Sequence, residues 1–193
     1  MIELIQKIKL KIQKIFFIIF YTSSFKSFGK RSTFVFPFRI NGAKFISVAE
    51  KVHINEGAWM MALKNSKKDP VISIGSGSYI GRSVHIVAVN RIDIKDNVAM
   101  ADKVYITDNA HNYEDINTLM KEQEILDFGP VVIGENTWLG ENSCIMGASI
   151  GKHCVIGVNS VVTSDIPDYS IAVGSPARVI KQYNFETKKW EKR

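Results

Sequence analysis

The chain has 193 residues, 46% of them apolar and 23% charged, which suits one globular domain with a short extension and excludes wholesale disorder and a multi-span membrane protein. Two cysteines, Cys144 and Cys154, support no disulfide framework and point to a reducing, cytoplasmic compartment; with no Cys-x-x-Cys pair or Cys/His cluster, no metal is expected. The net charge of +6 sits in residues 1–31, where Lys7, Lys9, Lys11, Lys14, Lys26, Lys30 and Arg31 face one acid, Glu3, so the neutral remainder argues against nucleic-acid binding.

Residues 1–39 read as a basic amphipathic arm. Ile5, Ile8, Ile12, Ile15 and Ile19 recur at spacings of three and four, a helical stripe. Lys7, Lys11 and Lys14 fall away from it, and Leu10 and the run from Phe16 to Tyr21 widen the apolar side. The early lysines, the short apolar run and the absence of an A-x-A-like site argue against a signal peptide. A spanning helix needs about 20 mainly apolar residues, and this run is too short and too charged. Two readings stand: residues 1–21 lie on an anionic membrane at its inner face, or the helix packs on the body or a neighbouring subunit.

From residue 40 an internal repeat dominates. Aliphatic residues recur every six positions: Ile40, Ile46, Val52, Ala58; Ile74, Ile80, Ile86, Ile92; then Ile94, Met100, Ile106; Ile133, Leu139, Ile145; and Ile150, Ile156, Val162. Fifteen of these seventeen are Ile, Leu or Val, which make up about a quarter of the chain. Gly75, Gly81, Gly134, Gly140, Gly151 and Gly157 each follow a repeat aliphatic, as expected where a chain turns sharply. Six residues then make a short strand plus a corner, and three such units make one triangular coil. Two stretches break the rhythm. Residues 59–72, with Lys64, Asn65, Lys67, Lys68, Asp69 and Pro70, read as a surface excursion. Residues 107–130 form a longer polar insertion, and such insertions in compact repeats are usually functional. After Val162 the repeat stops. Asp165, Pro167, Gly174 and Pro176 are turn formers, and residues 177–193 are expected as a helix or extended tail. The domains expected are therefore 1–39, a β-helix over 40–170, and an extension over 171–193.

The insertion begins ITDNAHNYED and puts His111 where the coil ends. A histidine can take the proton of an attacking hydroxyl near neutral pH, an aid worth about 10²–10⁴-fold. A coil-corner N–H can stabilise an oxyanion. The alternative is an ordinary surface-loop histidine. His53, His85 and His153 lie within coils, at corners or solvated faces. Asn109 and Glu114, flanking His111, are expected acceptor contacts.

The run HNYEDINTLMKEQEILDFGPVVIGENTWLGENSCIMGASIGKHCVIGVNSVVTSDIPDYSIAVGSPARVIK resembles the hexapeptide-repeat sugar O-acetyltransferases. These include the galactoside and maltose acetyltransferases and, most closely, the lipopolysaccharide and capsular polysaccharide O-acetyltransferases. The resemblance is densest over 92–181, extends to 40 and is absent over 1–39. It implies an all-β, left-handed parallel β-helix, acetyl-CoA as donor, a surface-polysaccharide sugar as acceptor, and a homotrimer with each site between two subunits. The left hand comes from the resemblance alone, because general crossover rules favour the right. His111 matches the family's catalytic histidine. Trp138 matches a tryptophan beside the acetyl and pantetheine site; the alternative is a corner aromatic covering the next coil. Gly140, Glu141, Val158, Thr163 and Ser164 match the lining of the CoA arm, and Arg178 and Lys181 match cations near the CoA phosphates. The alternative for those two is a solvated C-terminal face.

The departures are specific. Ser164 stands where the family often has Lys, Val158 replaces a usual Ala, and Ile145 to Ile150 spans five residues where the usual turn spans six. Ser83 stands where galactoside enzymes use an asparagine to hold the acceptor. A γ-type carbonic anhydrase would need a histidine at 116, which is Ile. Cys144 and Cys154 lie in repeat segments and read as packing residues, not nucleophiles. An aminosugar N-acetyltransferase of the same fold and a non-catalytic β-helix scaffold remain as alternatives; CoA titration separates scaffold from enzyme.

Overall fold

Two residues of each hexad face inward, on either side of one that faces out. Val52 and Ile54, Ala58 and Met60, Ile72 and Ile74, and Val84 and Ile86 are such pairs, and all are buried. Residues two apart on a strand share a face, so each hexad yields one short strand. In the computed structural model, which describes residues 1–65 and 68–193, the strands stack into three parallel sheets. The fold is a left-handed parallel β-helix. The first face holds Ser27–Phe28, Ile46–Val48, Val71–Ile74, Arg91–Ile94 and Val131–Ile133. The second runs from Thr33–Phe34 through Tyr79–Ile80, Ala99–Met100, Trp138–Leu139 and Val155–Ile156 to Ser170–Gly174. The third holds Arg39–Asn41, Trp59–Ala62, His85–Ala88, Tyr105–Thr107, Cys144–Met146 and Val161–Val162.

The core is the aliphatic column inside the prism. Every repeat aliphatic named above is buried except Ile40, which packs half-buried against the rest. Each buried Ile is worth about 1.5–3 kcal/mol relative to exposure, so the column is the main favourable term. Two inward hydroxyls are satisfied on both sides, as burial favours, while Ser143 Oγ is buried without a hydrogen-bond partner among the described residues. Ser78 Oγ donates to Lys95 O and accepts from Val98 N; Thr137 Oγ1 donates to Gly151 O and accepts from Cys154 N.

The phase resets share one cause: coil length varies at a single edge, where the third face passes to the first. Ser76 bonds Asp96 twenty residues on, Asn136 bonds His153 seventeen on, and Lys152 bonds Asp168 sixteen on. Both excursions leave from this loop edge. The first is narrower than expected: Trp59–Ala62 is regular strand and Val71 resumes it. Lys67, read with that excursion, lies outside the described residues.

The glycine signal has a different physical origin from the one expected. At Gly134, Gly140 and Gly157 φ is not positive, but a Cβ on any of them would collide with the next coil. The left-handed corner conformation belongs instead to residues such as Ser83, Asn97, Asn136, Asn142, His153 and Asn159. Asparagine tolerates that region best among non-glycine residues.

Both ends differ from the expectation. Parallel pairing reaches back to Ser27 and Thr33, ahead of the first hexad at Ile40. There Phe17 of helix α1 (Ile2–Phe20) plugs the open end of the prism against Phe25, Phe34 and Phe38. At the other end the chain is extended, not helical, but it is no tail: strands Ala177–Asn184 and Lys189–Lys192 pair antiparallel on the second face. The last coil exposes a row of backbone donors and acceptors, and a returning hairpin pairs them.

Candidate active site

The insertion is a clamped hairpin. After Thr107 the chain turns on Asp108, whose carboxylate is fully buried. Val89 N and Asn90 N donate to its two oxygens at 2.9 Å each, and Asn109 Nδ2 donates at 3.0 Å. Phe128 N donates to Asp108 O, closing the root from the returning strand. Asn109–His111 then pairs antiparallel with Ile125–Asp127, placing His111 opposite Ile125 with its side chain exposed. Asp127 is the second anchor. It accepts from Asn90 Nδ2 at 2.8 Å, Gly129 N at 2.9 Å and Lys68 Nζ at 3.0 Å. Burial raises its pKa, but these donors together outweigh burial and hold it below the usual carboxylate range. The tip is ordered locally, with Asp115 accepting from Thr118 Oγ1 and Asn117 N, and these bonds hold its pKa low.

The expected site residues fall on two edges. Thr163 and Ser164 follow Val161–Val162 at the loop edge, where His111 also leaves. Ser83, Gly140, Glu141 and Val158 line the opposite edge, between the second and third faces. Backbone bonds from Ser83 to Glu56, Lys103 to Arg82, Asn142 to Asp102 and Asn159 to Glu141 run along it. Trp138 lies on the second face beside that edge, between Ala99 and Val155, with 45% of its surface exposed. Arg178 is the second residue of the strand Ala177–Asn184, opposite Val173, and donates to Ala177 O. Lys181 sits further round the second face, opposite Ile171 and Lys192. The third face thus separates His111 from Trp138, Glu141 and Val158 within one chain. Asn109 spends both side-chain donors on Val87 O and Asp108 Oδ1, leaving only its carbonyl for a ligand, while Glu114 is exposed. Among the described residues no three His, Cys, Asp or Glu side chains gather as a metal site would require.

The family described as "Hexapeptide repeat of succinyl-transferase" matches residues 130–164. WbbJ of Escherichia coli K12, which carries the name "Putative lipopolysaccharide biosynthesis O-acetyl transferase", is 38% identical over 129 residues, covering 63% of this chain and 66% of its own. The crystal structure of a maltose O-acetyltransferase from Clostridium difficile 630 is 30% identical, with a TM-score of 0.57, over 83% of this chain and 71% of that one.

The chain belongs to the hexapeptide-repeat acetyltransferases.

It spans just under two thirds of WbbJ. AntD, an N-acyltransferase from Bacillus cereus seen with dTDP and 3-hydroxybutyryl-CoA, superposes with a TM-score of 0.72 over 86% of this chain and 87% of its own. At 20% identity that likeness concerns the fold alone. In this chain the sequence reasoning gave no role at the site to Asp108, Asp127, Asn90 and Lys68, which root the hairpin. One signal was available: an aspartate placed where a regular coil gives way to an insertion.

Proposed function

We propose that the protein transfers an acetyl group from acetyl-CoA to a hydroxyl of a sugar, in a bacterial surface polysaccharide or its precursor, with His111 as general base. One observation carries this reading: an exposed histidine on a rigidly rooted hairpin, at an edge shared with Thr163 and Ser164. The imidazole takes the proton as the sugar oxygen forms its bond to the thioester carbonyl carbon. A corner N–H stabilises the oxyanion of the tetrahedral intermediate. The intermediate collapses, the C–S bond breaks, and the imidazolium returns its proton to the CoA sulfur. The products are the sugar acetate and free CoA, with no acetyl-enzyme. Because Trp138, Glu141 and Val158 stand across the third face from His111, the site is completed by a second copy in a homotrimer working in the cytoplasm. Trp138 offers the thioester arm an apolar wall, and Arg178 and Lys181 offer charge to the CoA phosphates.

The test is free-CoA release on incubation with acetyl-CoA and a panel of free sugars, nucleotide sugars, amino sugars and polysaccharide fragments. Release dependent on a hydroxyl acceptor is expected, with His111→Ala lowering kcat at least about 10²-fold at unchanged CoA affinity, the pattern of a lost base. Full activity in that variant ends the assignment. Acetylation confined to amino sugars replaces O- by N-transfer, and absence of CoA binding replaces the enzyme by a scaffold.

A further inference from the structure

Helix α1 is docked with its apolar side outward. The line facing the coils is Gln6, Leu10, Gln13 and Phe17, which border clefts shared with Val35, Phe36 and His53 or join the phenylalanine plug, with Lys9, Lys11 and Lys14 at the rims of those clefts. Of the helix only Phe17 is buried. The isoleucine stripe that a packed helix would bury points away: Ile5, Ile8, Ile12, Ile15 and Ile19 are 51–65% exposed. Phe16 and Phe20 extend it at 46% and 60%. At about 100° per residue, Lys7 and Lys11 flank the stripe on one side and Lys9 on the other. All three are exposed. A contiguous apolar surface of this kind marks an interaction site.

We propose that this stripe is a docking surface for an anionic lipid bilayer, on which α1 lies flat with its isoleucines in the acyl boundary and its lysines among the headgroup phosphates. The charge distribution selects this occupant. The chain's whole positive excess lies in residues 1–31 and the remainder is neutral. A second copy of α1 would bring lysine against lysine, and the neutral body offers no acidic surplus to meet them. A bilayer of anionic lipid satisfies both the apolar stripe and its basic flanks. No helix among the described residues is long and apolar enough to cross a membrane. Because Phe17 is locked into the phenylalanine plug, lipid bound by α1 carries the whole β-helix with it. The proposal is independent of the acetyl-transfer reading.

The full chain would be sedimented with phosphatidylcholine vesicles with and without roughly 30% phosphatidylglycerol. Binding is expected only with the anionic lipid, weakening as salt screens the lysines. Lys7→Gln and Lys11→Gln should each weaken it about fivefold, the effect of one basic side chain at such a surface. Ile8→Asp with Ile12→Asp should abolish it while leaving circular dichroism and thermal unfolding unchanged, since neither residue packs on the coils. Wild-type protein that stays in the supernatant overturns the proposal. If the double variant then also loses oligomeric mass in sedimentation velocity, a second copy is the occupant.

Discussion

His85 stacks on Trp59 with ring centroids 4.2 Å apart, and its Nε2 is buried without a hydrogen bond among the described residues. Burial lowers its pKa. A histidine shifted this way folds neutral, and its unfolded form binds more protons just below the ordinary value of about 6.5. Its contribution to stability is therefore whole above that pH and lost as pH falls through the depressed folded value. His85→Phe, which keeps the stack and removes the titration, should flatten the acid limb of melting temperature against pH in that window. An unaltered limb would mean that other groups cause it. The cysteines behave as packing residues. Burial pushes both thiols up, leaving little thiolate at neutral pH, so neither suits a nucleophile. These side chains were legible as coil residues, but which would be buried was not, because burial depends on the coil stacked next to each.

At the scale of the element, the hairpin shows how a long loop becomes a precise device. Its reach was visible as a gap in the hexads, and its root was not. The root is a buried carboxylate taking backbone N–H groups from the coil before it, eighteen and nineteen residues away in sequence. No local pattern encodes such a bond. Asp108→Ala leaves those donors unpaired, a cost of about 1–3 kcal/mol each. The chain should still fold, since the aliphatic column is untouched, but the hairpin should become protease-sensitive. Turnover should fall about tenfold or more, with CoA affinity unchanged. Equal turnover and equal protection would show that Asp108 does not position His111. The C-terminal hairpin makes the same point. Ala177–Asn184 looks like a tail until the edge of the second face is there to pair with it.

For the whole molecule, the decisive feature is that His111 and Trp138 lie on different sides of the third face. A site divided between copies predicts complementation. His111→Ala chains and Trp138→Ala chains should each be nearly inactive alone. Trimers assembled from both should regain activity, because some junctions pair an intact His111 with an intact Trp138. Mixtures no more active than either parent would place the whole site within one chain. Sedimentation velocity on the wild type should give three chains per particle.

By itself the sequence determined the repeat, the inward column, the position of the insertion and the histidine within it. Each of these is a short-range signal: six-residue periodicity is a property of neighbours, and a coil is built from neighbours. Only the tertiary structure decided the rest. It showed that the glycines serve close approach between coils, that all length variation falls on one edge, that Asp108 and Asp127 root the hairpin, and that the apolar stripe of α1 faces outward. These depend on what lies one coil away, a distance fixed by stacking and carried by no segment alone.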